Sequence, residues 1–270
     1  IGIILVLFLL TVNSALASLQ ATNTNPAADS PGKTVTGSFV LLDTDSPADS
    51  NAVTGINFVA ANLIGVTDNT KSIPASAITF DPASISTLAD GASQTIATSV
   101  AVPVNQAPQT YQGSVTITGT EGGAISASFT LSVVVNSFTA LDVLTYDNAT
   151  ALEVIGEEGN ADLTATFQVK NTGNTVLSGL TFDATALDLK DGDDNVITII
   201  FSNPGALNAG ETKTVTATAS YGENINLDTY GGVVNVKTGA IVLDSFKLDL
   251  KVHPEICEDG IVKEGDKSSR

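Results

Sequence analysis

One stretch occurs twice, and it constrains what this chain can fold into. Thr110-Tyr111-Gln112-Gly113-Ser114-Val115-Thr116-Ile117-Thr118-Gly119 is matched by Thr229-Tyr230-Gly231-Gly232-Val233-Val234-Asn235-Val236-Lys237-Thr238-Gly239. Each copy reads as a turn, a tyrosine, a glycine two residues on, a short Val/Ile/Thr strand and a glycine-marked turn. A second alternating strand follows each, at residues 128–133 and 245–250. Tyr111 and Tyr230 are 119 residues apart, as are the turn glycines Gly91 and Gly210. Upstream, Gly55-Ile56-Asn57-Phe58 aligns with Gly179-Leu180-Thr181-Phe182, and Phe39 with Phe167; downstream, Phe129 aligns with Phe246. The spacing shifts only where loops are expected, which tolerate insertions while strand registers do not. A repeat this long is a duplicated domain rather than a solenoid unit.

The apolar pattern inside each copy has period two. Val35, Phe39 and Leu41 share one face, and Phe129, Leu131, Val133 and Val135 another. In the second half Leu163, Ala165, Phe167 and Val169 alternate with polar residues, as do Phe246, Leu248, Leu250 and Val252. Alternation with one polar face means sheets buried on one side, packed in pairs. The expected fold class is all-β: two tandem antiparallel β-sandwiches, at residues 34–136 and 137–253. Residues 196–201 form a more continuous apolar run, expected as a strand covered on both faces. The segment 137–159 is expected to open the second domain near Leu141 and continue as a polar, acidic loop.

At 270 residues the chain is long enough for two independent cores. With 29 acidic and 11 basic residues its net charge is −18, which opposes binding to nucleic acid or anionic lipid. The single Cys257 rules out an intrachain disulfide. Residues 1–10 are an unbroken apolar run, closed by Ala15-Leu16-Ala17. This reads as a secretory signal peptide over 1–17, truncated at its start and cleaved after Ala17; the competing reading is a pilin-type helix kept in a filament core. Either way, membrane contact is confined to that signal or anchor segment. Residues 18–33 are polar and lack an apolar period, so a flexible linker is expected. Residues 254–270 read as a charged linker leading to a further domain.

Phe167-Gln168-Val169-Lys170-Asn171-Thr172-Gly173-Asn174-Thr175 resembles the strand and Asn-Thr-Gly-Asn turn of Ig-like repeat domains in archaeal and bacterial cell-surface proteins. The Ala209-Gly210 turn and the Thr-Tyr-x-Gly-x-Val hairpin share that resemblance, and the tail from Pro254 to Gly260 looks like linkers in such proteins. The resemblance implies an Ig-like fold and an envelope location, and carries over no catalytic residue. The first domain departs from it at Asp43-Thr44-Asp45-Ser46.

The candidate sites are few. Tyr111 and Tyr230, with Gly113 and Gly232 beside them, suit tyrosine corners, in which a ring fills the core edge and its hydroxyl meets upstream backbone. Calcium is the one candidate cofactor, in either of two oxygen-rich loops: Asp43, Asp45 and Asp49, or Asp191, Asp193 and Asp194 beside Asp188. Neither loop has EF-hand spacing, and a solvated turn is the plainer reading of both. Asn148-Ala149-Thr150 is a glycosylation sequon. His253 is the only histidine and sits at a domain end, so neither a Ser-His-Asp triad nor a zinc site is expected. The expected function is non-enzymatic: a structural or interaction segment of an exported, multi-domain envelope protein. Its partners would be other envelope proteins or copies of itself. Two alternatives stand: an adhesin or glycan-binding module using the long loops of the first domain, and accessory domains of a larger secreted enzyme.

Overall fold

A computed structural model describes residues 19–44, 51–157, 163–222 and 224–254. The signal-peptide reading of residues 1–17 and the tail beyond Pro254 lie outside the described residues. The chain divides into two compact units between Phe138 and Thr139. Each is a sandwich of two sheets.

The first unit contains β1 (Leu19–Thr24), β2 (Thr34–Asp43), β3 (Val53–Ala60), β4 (Leu63–Gly65), β5 (Ser72–Ile73), β6 (Ile78–Asp81), β7 (Ser84–Leu88), β8 (Ser93–Ala101), β9 (Thr110–Thr120) and β10 (Ala124–Val134). One sheet runs β1-β2-β8-β6. In the other, β10 pairs with one side of β9, while β3 and β4 share its other side. Strand β7 lies outside β3, and β5 outside β4. The second unit contains β11 (Leu141–Leu144), β12 (Leu152–Glu157), β13 (Leu163–Asn171), β14 (Leu180–Asp183), β15 (Thr198–Phe201), β16 (Thr212–Ser220), β17 (Thr229–Thr238) and β18 (Ile241–His253). Its sheets run β11-β13-β16-β15 and β12-β18-β17-β14. Named by immunoglobulin convention these are A-B-E-D and A′-G-F-C, so the fold is Ig-like.

The first strand of each unit crosses between its two sheets. In the second unit β11 pairs antiparallel with β13, and β12 then pairs parallel with β18. In the first, β1 pairs antiparallel with β2, and the chain then makes a parallel bridge from Asp29 to Val135. Two expectations are corrected here. Residues 19–24, expected within the linker, are the edge strand β1: only Leu19 is fully buried, so too few apolar positions face inward to print a period. Residues 152–157, expected as acidic loop, are β12, which buries Leu152 and Val154 between outward Glu153 and Ile155.

A third correction concerns residues 196–201. Val196 and Ile197 pair with the preceding loop, and Thr198–Phe201 form the edge strand β15, paired only with β16; Val196 and Ile200 are exposed. Continuous apolarity here marks an uncovered edge rather than a doubly covered strand.

The two cores share one motif. Phe39 on β2 contacts Phe58, Phe80 and Phe129 at centroid distances of 5.3, 6.0 and 4.8 Å. Phe167 on β13 contacts Phe182, Phe201 and Phe246 at 5.6, 6.2 and 4.8 Å. The first two contacts in each set are edge-on, and the third is tilted by 45° in both. Edge-to-face pairs add attraction beyond area burial. Phe39→Ala and Phe167→Ala are each expected to lower the unfolding free energy by about 3–5 kcal/mol. Val59→Ala, at an exposed position, is expected to change it by less than about 0.5 kcal/mol. Equilibrium urea unfolding of the three variants checks this.

Candidate functional site

Of the residues singled out in the sequence, Tyr111 with Gly113 and Tyr230 with Gly232 lie at the starts of β9 and β17, and Asp191 joins the second pair. Tyr111 is fully buried, and its hydroxyl donates to the carbonyl of Ala107 at 2.8 Å. Tyr230 is 5% exposed, and its hydroxyl donates to the carbonyl of Asn226 at 2.7 Å. In both cases the acceptor lies four residues upstream, the geometry of a tyrosine corner. The neighbouring glycines make room for the same passing backbone. A Cβ on Gly113 would lie 2.6 Å from the carbonyl oxygen of Asn62, and one on Gly232 3.1 Å from that of Ala186. Asn62 follows β3 and Ala186 follows β14, which occupy matching places in the repeat.

The two corners are locked to the adjoining long loop by different side chains. In the first unit Gln109 accepts from the backbone amides of Thr67 and Asp68 at 3.0 and 2.8 Å and donates to the hydroxyl of Tyr111 at 3.2 Å. In the second, Asp191 holds the loop. One carboxylate oxygen accepts from the amides of Asp193 and Asn195 at 2.9 and 2.8 Å. The other accepts from the side-chain amide of Asn195 at 2.8 Å and the backbone amide of Asn226 at 3.1 Å. The backbone of Asn226 is thus held at both of its polar groups, its N–H by Asp191 and its carbonyl by Tyr230. Desolvation pushes the Asp191 carboxyl up, but hydrogen bonds from Asn195, Asn226 and Asp193 outweigh it and leave the group below its usual range.

This arrangement bears on the calcium reading. The oxygens of Asp191 already face four donors. Asp194 is a turn residue at φ 65° whose side chain is 93% exposed. Among the described residues no group of three or more His, Cys, Asp or Glu is placed to hold a metal ion. In the other loop, Asp45 and Asp49 lie outside the described residues. Asp43 is buried, and its backbone N–H donates to the carbonyl of Ala92 at 3.0 Å. It occupies the place of Asn171, whose N–H donates to Glu211 at 3.0 Å in the same way. Asn171 also donates from its side chain to the carbonyls of Thr175 and Leu207 at 2.7 and 3.1 Å. At Asn171 the buried polar side chain thus ties a turn to the sandwich.

Asn148 stands exposed on a turn capped by Asp147, which accepts from the amides of Ala149 and Thr150 at 2.8 and 2.6 Å. His253 ends β18 and is exposed. Sequence reasoning missed one surface. In the second unit an open cleft of about 380 Å³ lies between the edge strands β14 and β15, lined by Leu180, Thr181, Phe182 and residues 199–203. Its signal was the nearly continuous apolar run at residues 196–201.

Burial raises the Tyr230 hydroxyl to about 12, helped by Asp191, Asp228 and Asp188 nearby. A folded value above the ordinary 10.0 means that the unfolded chain releases this proton first. The contribution to stability is therefore complete below pH 10 and is lost as pH rises toward 12. Tyr230→Phe is expected to lower stability by about 1 kcal/mol at neutral pH and to reduce its alkaline decline. Urea midpoints measured from pH 8 to pH 12 for both proteins check the sign.

No protein-family model and no curated protein matches the chain. Solved structures do resemble it in fold. The extracellular cadherin domains 1–5 of protocadherin gamma B2 align over 90% of this chain and 41% of that one, at 10% identity and a TM-score of 0.44. A titin segment aligns over 85% of this chain and 96% of its own, at 14% identity and a TM-score of 0.33. A family 123 glycoside hydrolase from Clostridium perfringens aligns over 48% of this chain, at 14% identity and a TM-score of 0.32. The chain spans about a quarter of that hydrolase's length. The likeness to all three is one of fold.

Proposed function

We propose that this chain is a non-catalytic structural and interaction segment of an exported, multi-domain cell-envelope protein, serving in a surface layer, stalk or filament. The observation that carries the proposal is the use to which the polar side chains are put. Tyr111, Tyr230, Asp191, Asn171 and Gln109 each hold a turn against its sandwich. Side chains used in this way serve as supports for the modules, which favours a structural role. The duplicated phenylalanine cluster gives two sandwiches of like construction, which suits a repeated spacer. The acidic composition keeps such a spacer soluble.

Export is supported by the apolar run at residues 1–10 and the Ala15-Leu16-Ala17 sequence. Cleavage after Ala17 would leave Ser18 immediately before β1, so the first strand would stay whole. In an exported chain the exposed Asn148 sequon would be open to glycosylation. Protease shaving of intact cells that carry the gene, followed by peptide mass spectrometry, tests the proposal. The expected outcome is release of peptides from both sandwiches and a mature N-terminus at Ser18. Recovery of the chain only from the cytoplasmic fraction, with residues 1–17 attached, would overturn it.

A further inference from the structure

The two sandwiches differ along one edge, where the second has an open cleft. In the first unit, the outer edge of β3 is covered by β7, which pairs Val53 with Leu88, Thr54 with Thr87, Ile56 with Ile85 and Asn57 with Ser84. Ile85 and Leu88 are buried there and belong to the core. The equivalent of β3 is β14, since Leu180 and Phe182 take the places of Ile56 and Phe58. The equivalent of Leu88 is Leu207, which makes a single bridge to Leu177. Beyond that bridge the match ends. The Asn203-Pro204-Gly205 segment is drawn toward β16, where Lys213 donates to the carbonyls of Pro204 and Ala206 at 3.2 and 2.6 Å. Among the described residues of the second unit no strand pairs with β14 as β7 pairs with β3, and an open cleft lies beside Leu180 and Phe182, the counterparts of Ile56 and Phe58.

We propose that this cleft is a docking site for an extended segment of a partner protein, which adds to β14 as an edge strand and places one β-branched aliphatic side chain among Leu180, Phe182, Ile199 and Phe201. The first unit supplies the template for the occupant: Ser84-Ile85-Ser86-Thr87-Leu88, a strand with an aliphatic anchor between small hydroxyl residues. Charge agrees with it. All eight residues lining the cleft are uncharged, in a chain of net charge −18. The carboxylate at the end of β14, Asp183, is bonded to Lys237 and held well below the usual carboxylate range, first by that bond and then by Thr185. An uncharged aliphatic strand therefore meets no unpaired charge along this edge. Backbone pairing supplies affinity in such strand addition, and the side-chain pocket supplies selectivity. A spacer needs no such cleft, so the inference goes beyond the proposed envelope role and holds or fails independently of export.

The test uses the full chain, labelled with ¹⁵N, and a synthetic peptide with the sequence of residues 83–89. The expected result is saturable shifts of the amides in β14 and residues 198–203. The same peptide with Asp at the position of Ile85 is expected to bind at least about tenfold more weakly, the loss that follows when an aliphatic anchor becomes a charge in an apolar pocket. Thr181→Glu changes an exposed cleft residue. It is expected to weaken peptide binding to a similar degree while leaving the rest of the amide spectrum in place. Equal binding of both peptides would overturn the proposal, as would shifts confined to β3 and the loss of its own β7. Concentration-dependent shifts of β14 without peptide, together with dimers in sedimentation, would overturn it in favour of a second copy as occupant.

Discussion

Each sandwich is pinned at its centre by one phenylalanine that touches three others. Phe39 stands on β2 and Phe167 on β13, and their partners come from both sheets. A ring that meets two neighbours edge-on and a third at a tilt is held in angle as well as depth. That contact fixes the stagger between sheets, and the stagger decides which edge residues can close over the core. In the first unit, Ile85 and Leu88 complete the enclosure. In the second, the same four rings are present while the closing strand is reduced to one bridge. The rings hold with or without the cover, so the edge was free to diverge.

The turns before β9 and β17 show the same division between a fixed element and a variable one. The tyrosine hydroxyl meets the carbonyl four residues back in both units. What fastens the adjoining loop is Gln109 in one and Asp191 with Asn195 in the other. The requirement is physical: the inward tyrosine needs an acceptor for its hydroxyl, and the loop amides need acceptors of their own. A glutamine reaching from the corner and an aspartate reaching from the loop both meet it. Asp191 accordingly acts as an acceptor for the backbone amides of its own loop and of Asn226.

Strands buried on one face were legible because their side chains obey period two, and β2, β10, β13 and β18 stand where alternation placed them. Three pairs of the clustered phenylalanines were legible from the repeat. The fourth, Phe80 with Phe201, was not: Ile78-Thr79-Phe80 alternates, whereas Ile199-Ile200-Phe201 does not. Strand β1 was hidden because an edge strand needs few inward side chains; its pairing is made by backbone groups that any residue carries. The Asp191 loop was illegible for a different reason. Spacing tells which carboxylates are near one another in the chain, but not whether their oxygens face outward or back onto the loop's own amides.

The uncovered edge of the second unit needs a physical reason to remain stable in isolation. Exposed strand edges invite pairing, and natural sheets blunt them by shortness and by charge. Strands β14 and β15 have four residues each, and Lys237 with Asp183 sets a charged pair at one end of β14. Four residues offer too few backbone bonds to recruit an arbitrary chain against the entropy of ordering it. A segment whose side chain also fills the cleft gains apolar burial in addition to those bonds. The edge is thus guarded against indiscriminate pairing by its brevity and left open to selective pairing by its cavity.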